Sequence, residues 1–171
     1  DITEHLRDGE NIITIRAEDR VRSGRQPGGK QSHKYESYGC FYTRTTGIWQ
    51  TVWLENLPAG YIKSVKYYPD IKNRKLTIEA FCVGCDGQTI IAETRYKGEP
   101  TGAAGAIVSG GRALFEIKLF ELHLWEVGCG RLYDVKLKVG ADAVDSYFGM
   151  REVWAENGIM LINGKKIFQR L

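Results

Sequence analysis

The sequence is short of several things. It has four prolines, four cysteines and two methionines among 171 residues. Cysteine this sparse does not make a dense disulfide scaffold, and a 19.3 kDa chain can bury its core without staples or metals. No apolar run approaches the roughly 20 residues that cross a bilayer, which excludes a helical membrane span. An excess of one charge is missing too. The net charge is +3, with acids and bases interleaved, too mild to point to a nucleic-acid polymer as partner. Hydrophobic residues make up 43% and charged residues 26%, near the globular average, so neither disorder nor a coiled coil is favoured. Internal repeats, low-complexity tracts and nucleotide-binding glycine motifs are absent. An initiator methionine is lacking as well. The sequence begins at Asp1, without a signal-like segment, and reads as a span excised from something longer. Glycine, in contrast, is plentiful at 20 residues, which predicts many tight turns.

The cysteines Cys40, Cys82, Cys85 and Cys129 contain one metal-type spacing, Cys82-Val83-Gly84-Cys85, where a zinc ribbon needs two. The run Val83-Gly84-Cys85-Asp86-Gly87 reads as a hairpin turn, with Asp86-Gly87 supplying positive φ. Free thiols around a turn are therefore expected, and with them a reducing, cytoplasmic setting. His5, His33 and His123 are widely separated, without metal-type spacing. Neither a metal nor a cofactor is expected.

Two-residue alternation dominates the chain. Ile13, Ile15 and Ala17 share one face of a candidate strand, and residues 47–54 form a second that is apolar on both faces. Between them residues 20–34 are rich in Gly, Arg, Ser, Gln and Lys around Pro27-Gly28-Gly29, the composition of a long surface loop. From residue 61 the rhythm is regular, with strands expected over 61–68, 75–83, 88–96, 105–109, 113–119, 131–139 and 143–148. Seven short strands in about 90 residues, with turns at even spacing, predict an antiparallel β-sandwich of immunoglobulin type. The run 157–169 reads as two short strands around an Asn-Gly turn. Trp125 and Tyr133 are expected in the sandwich core. Trp49 and Trp53 are read either as core or interdomain residues or as a sugar-stacking platform.

Several phrases resemble glycoside hydrolase family 2, the family of β-galactosidases, β-glucuronidases and β-mannosidases. The strongest is Cys40-Phe41-Tyr42-Thr43-Arg44-Thr45-Thr46-Gly47-Ile48-Trp49-Gln50-Thr51-Val52-Trp53-Leu54-Glu55, which is similar to the segment closing that family's sugar-binding jelly roll. Asp1-Ile2-Thr3, Leu6, Gly9-Glu10-Asn11 and Ile15-Arg16 resemble the preceding phrase, which leads to an aspartate, here Asp19. Asp145-Ser146-Tyr147-Phe148-Gly149-Met150-Arg151-Glu152 resembles the end of the central sandwich, and Asn163-Gly164-Lys165-Lys166-Ile167-Phe168-Gln169-Arg170 the approach to the catalytic (β/α) barrel. One stretch departs from the family. Leu124-Trp125-Glu126-Val127-Gly128-Cys129-Gly130-Arg131-Leu132-Tyr133 keeps its Leu-Trp and Leu-Tyr anchors but lacks the usual prolines.

The resemblance implies an all-β chain: an immunoglobulin-like antiparallel β-sandwich preceded by a partial jelly-roll segment. Residues 1–57 would end the jelly roll, 58–148 form the sandwich, and 149–171 lead towards an absent barrel. It implies a non-catalytic accessory region of a retaining, β-galactosidase-like hydrolase. Such enzymes need two carboxylates, which the family places on later barrel strands, so the isolated chain is expected to be inactive. Glu116 and Glu121 read as solvated surface residues. Asp19 falls where the family places an aspartate that reaches towards the active-site pocket, and Lys30 and Gln31 sit at the family's Gly-Lys-Gln phrase, from which they could donate to sugar hydroxyls. For Asp19 turn capping is an equal alternative, and for Lys30 and Gln31 packing against the barrel is another. Arg44 reads as structural beneath the Gly47 turn, and Arg151-Glu152 as an orienting ion pair or a solvated one. The expected partners are the terminal sugar, the barrel itself and a second copy joined through exposed strand edges, with neither nucleic acid nor membrane. The alternative is a free-standing carbohydrate-binding or structural β-sandwich module.

Overall fold

The computed structural model describes residues 1–168. The chain divides into two units, Asp1–Leu54 and the remainder from Glu55.

Seven strands build the body of the second unit. They are β1 (Tyr61–Asp70), β2 (Lys75–Val83), β3 (Thr89–Tyr96), β4 (Glu99–Ile107), β5 (Arg112–Lys118), β6 (Tyr133–Val139) and β7 (Asp142–Phe148). They form two antiparallel sheets, β1-β2-β5 and β4-β3-β6-β7. In immunoglobulin lettering this is an A-B-E sheet facing one in which the fourth strand has joined C-F-G, so the expected sandwich is present. Alternation explains the strands. In β6, Tyr133, Val135, Leu137 and Val139 are buried while Asp134, Lys136 and Lys138 are exposed. β5 repeats the pattern with Ala113, Phe115 and Ile117 inward. These side chains meet Leu76, Ile78, Ile90 and Ala92 from the facing strands in one core. Burying each large aliphatic residue contributes roughly 1.5–3 kcal/mol.

Three local features set the shape. Asp70 accepts from the Asn73 backbone N–H at 3.0 Å and from its amide at 2.7 Å, which closes the β1–β2 turn. A Cβ on Gly102 would lie 2.7 Å from Ile117 Cγ2 and 2.8 Å from the Lys118 carbonyl oxygen, so glycine lets β4 approach β5. Asp142 Oδ2 accepts from the Ile62 backbone N–H at 2.8 Å, tying the first strand to the last across 80 residues.

Three expectations are corrected. The run 83–87 is not a hairpin, because β2 and β3 belong to different sheets and the turn crosses between them. A turn signal reports a chain reversal but not whether the flanking strands pair. Cys82 in β2 and Cys85 on this crossover are free and buried, whereas Cys40 and Cys129 are free and exposed. β4 starts at Glu99, well before the expected residue 105, since its Gly and Ala residues carry too little apolar contrast to show alternation. Trp125 is half-buried beside Gly149 and Leu132 instead of lying in the core, which Tyr133 does occupy.

After the sandwich, a small antiparallel sheet of order β10-β9-β8 uses β8 (Val153–Glu156), β9 (Ile159–Ile162) and β10 (Lys165–Lys166). It has three strands and two Asn-Gly turns where two strands and one turn were expected. Asn157, Gly158, Asn163 and Gly164 all take positive φ, from 49° to 78°, as a two-residue type I′ turn requires. Asn163 also fastens this sheet to the sandwich. Its Oδ1 accepts from the Glu152 N–H at 3.0 Å and its Nδ2 donates to the Trp125 carbonyl at 2.9 Å. Gln169 and Arg170, read above as part of the barrel approach, lie outside the described residues.

The first unit holds a 3-10 turn at Thr3–His5 and, among the described residues, isolated bridges instead of strands. The strands expected over 13–17 and 47–54 are therefore not formed, and Trp49 is 88% exposed. Alternation supplies a strand's faces but not the ladder partner that holds it. Among the described residues no helix is long and apolar enough to cross a membrane.

Candidate functional site

In the first unit, Ala17 to Asp19, Gln31 and Thr45 to Trp49 line a cleft of about 630 Å³. The loop that delivers Gln31 is set by a tight turn. The Gln31 N–H donates to the Gly28 carbonyl at 3.1 Å, with Gly29 at φ 56° between them. A short parallel bridge then pins it. The Ser32 N–H donates to the Tyr42 carbonyl at 2.7 Å, and the Tyr42 N–H donates to the Lys30 carbonyl at 2.7 Å. The Ser32 hydroxyl, fully buried, donates to the Glu36 carbonyl at 2.7 Å and holds the next turn.

Of the three residues assigned to sugar contact, the structure brings Asp19 and Gln31 to one cleft and leaves Lys30 exposed outside it. One Asp19 oxygen accepts a short hydrogen bond from the Gln26 amide. The Gln31 Oε1 atom is buried and has no hydrogen-bond partner among the described residues. Such an acceptor is costly to leave unmade, and a ligand hydroxyl would satisfy it. Glu18 is engaged elsewhere, with Arg20 at 2.5 Å and Arg16 at 3.4 Å. Of the two tryptophans, Trp49 lines the cleft and Trp53 does not. An exposed indole, two threonine hydroxyls, a carboxylate and an unpaired amide oxygen can hold a polar, ring-shaped ligand. Sequence reasoning missed Gln26, Thr45 and Thr46 as parts of this site, since the positions of these small and polar residues are set only by the folded loop.

The second unit has a separate cleft of about 620 Å³ between Tyr67, Trp125, Tyr147, Phe148 and Arg151. The Arg151 guanidinium lies 4.7 Å from the Trp125 ring centroid, a cation–π contact at a position read above as either an orienting ion pair or a solvated one. Burial pushes the Tyr67 hydroxyl pKa up. The ion pairs in this unit offer little acid chemistry. Hydrogen bonds to Tyr68 and Arg112 hold Glu79 below the usual carboxylate range, Lys75 does the same to Glu116, and Lys165 and Arg131 to Glu126. A glycosidase acid needs the opposite, a carboxyl pushed upward.

The first unit thus offers a cleft suited to hydroxyl groups and the second an immunoglobulin-like sandwich. Protein-family models and curated proteins give no match to the sequence. Solved structures do match. A Bifidobacterium dentium β-glucuronidase complexed with coumarin-3-O-glucuronide aligns at 22% identity and a TM-score of 0.57, covering 63% of this chain and 20% of that one. The apo β-glucuronidase of Ruminococcus gnavus aligns at 18% identity and a TM-score of 0.51, covering 66% and 20%. Its complex with uronic deoxynojirimycin gives 18%, 0.52, 66% and 19%. This chain therefore shares its fold with part of these glycosidases and spans about a fifth of their length.

Proposed function

We propose that the chain is a non-catalytic accessory region of a retaining family 2 glycoside hydrolase acting on terminal O-glycosidic bonds. The observation that carries this reading is the fold shared with parts of β-glucuronidases, in a chain whose sequence phrases resemble that family in consistent order. Asp19 and Gln31 of the first unit contribute to the pocket around a terminal sugar. The carboxylate pair that performs hydrolysis comes from residues outside this sequence, and the isolated chain is inactive. The sequence phrases resemble those of a β-galactosidase-like parent, while the matched structures are β-glucuronidases, so both sugars belong in the test.

The full chain is titrated with methyl β-galactoside and methyl β-glucuronide and assayed on the corresponding nitrophenyl glycosides. The accessory reading expects neither turnover nor binding of millimolar or tighter affinity, because half of the pocket is supplied elsewhere. Turnover would overturn it. Millimolar or tighter binding, abolished by Asp19→Asn, would establish instead the free-standing carbohydrate-binding module, which the exposed Trp49 and the unpaired Gln31 oxygen favour.

A further inference from the structure

The first unit carries a second concentration of functional groups. Residues 20–44 contain Arg20, Arg22, Arg25, Lys30, Lys34 and Arg44 against a single acid, Glu36. Arg20 is engaged by Glu18. The other five have no carboxylate within ion-pair distance among the described residues. Two of them converge on one ring. The guanidiniums of Arg22 and Arg44 lie 5.2 and 4.8 Å from the Tyr35 centroid, so they are no more than about 10 Å apart. Arg22 Nε donates to the His33 carbonyl at 3.0 Å, which orients the guanidinium and leaves its terminal nitrogens for a ligand. The Lys34 ammonium sits 4.4 Å over Tyr38 and extends the cationic surface. Tyr35 is 85% exposed, so the cluster faces solvent and is not holding a core together.

Like charges gathered on one surface repel, and an anion placed among them lowers that cost. We propose that this surface binds a carboxylate-bearing saccharide chain, an oligouronate, with the Arg22 and Arg44 guanidiniums gripping its carboxylates. Guanidinium presents parallel N–H donors that match a planar carboxylate. One observation favours this ligand over a nucleic acid. The unit as a whole has eight Lys and Arg against seven Asp and Glu, so its field is local and not the broad basic field that a polyphosphate requires. The saccharide nature of the ligand rests on the glycosidase context proposed above, whereas the affinity for anions does not.

The test uses the full chain and fluorescence polarisation. The probes are a labelled decameric oligogalacturonate, a neutral oligosaccharide of equal length and a single-stranded oligonucleotide of equal charge. The oligogalacturonate is expected to bind, more weakly at high salt, and to bind at least tenfold more tightly than either other probe. The double variant Arg22→Gln/Arg44→Gln loses at least tenfold. The variant Arg22→Lys/Arg44→Lys, which keeps the charge but not the planar fork, loses at least threefold. Absent oligogalacturonate binding, equal binding of the oligonucleotide, or a lysine variant as tight as the parent would each overturn the proposal. The two readings fail separately. Tight binding of a methyl galactoside overturns the accessory role and leaves this surface untouched, and missing oligouronate binding does the reverse.

Discussion

Tyr133 offers the sharpest test of how the sandwich is held together. Its ring is fully buried, stacked on Phe148 at 4.9 Å and tilted against Tyr96 at 5.3 Å. Its hydroxyl accepts from the His123 N–H at 2.6 Å and donates to the Glu121 carbonyl at 3.1 Å. One oxygen thereby fastens the segment leading into β6 onto the body of the sheet. Tyr133→Phe keeps the ring and both stacking contacts and deletes only that oxygen. The His123 N–H and the Glu121 carbonyl then lose their partner. A lost buried hydrogen bond of this kind costs about 2 kcal/mol. For a unit of this size that lowers Tm by roughly 6–12 °C. Urea unfolding followed by tryptophan fluorescence reads the change as a lower midpoint at constant slope. Tyr147→Phe, on a ring that is 66% exposed, serves as the control and should stay within about 0.5 kcal/mol. A Tyr133→Phe cost as small as that of the control would refute the reasoning, because water would then be satisfying the His123 and Glu121 groups.

Other consequences are open to simpler measurements. Gly105→Ala drives a methyl into the Ile90 carbonyl oxygen, so β4 must shift and stability should fall by about 1–3 kcal/mol in the same urea assay. Ellman titration of the native chain should modify Cys40 and Cys129 quickly, with Cys82 and Cys85 reacting only on unfolding, since burial pushes both of those thiols up. The depressed Glu79, Glu116 and Glu126 carboxyls favour the folded state above their usual value of 4.5, so that stability is lost as pH falls below it. Glu79→Gln should flatten this acid limb, and an unchanged profile would count against the Tyr68–Glu79–Arg112 network. At the alkaline end burial raises Tyr67 and Tyr133, so stability should decline as pH climbs above about 10, where the unfolded tyrosines release protons first.

The sandwich was readable in advance wherever inward and outward residues differ sharply in polarity. β6 alternates Tyr, Val and Leu with Asp and Lys, β5 sets Ala113, Phe115 and Ile117 against an outward face of Arg112, Leu114, Glu116 and Lys118, and both appear close to where expected. The first half of β4 was hidden because Thr101, Gly102, Ala103 and Ala104 look alike on both faces. Residues 47–54 carried a strong apolar signal yet form no strand, because a ladder needs a neighbour that no local pattern can supply. The cleft was half legible. Asp19 and Gln31 were marked by resemblance, but the burial of the Gln31 oxygen and the grip of Gln26 on Asp19 depend on how the 20–34 loop closes. The basic surface around Tyr35 was invisible to a net charge of +3, which averages it against acids elsewhere in the chain.

The hydrogen bond from Ile62 to Asp142 has a kinetic meaning. The β1–β2 and β3–β4 hairpins join neighbours in sequence and can close as soon as they are made. The pairing of β2 with β5, and of β3 with β6, must wait for dozens of further residues. Contacts so distant along the chain place the sandwich among the slower-folding topologies, on the millisecond-to-second scale. The Asp142 carboxylate arrives last of all, when only β7 remains to be added. On a growing chain the first strand therefore waits with its Ile62 N–H uncapped until nearly the whole sandwich has been synthesised.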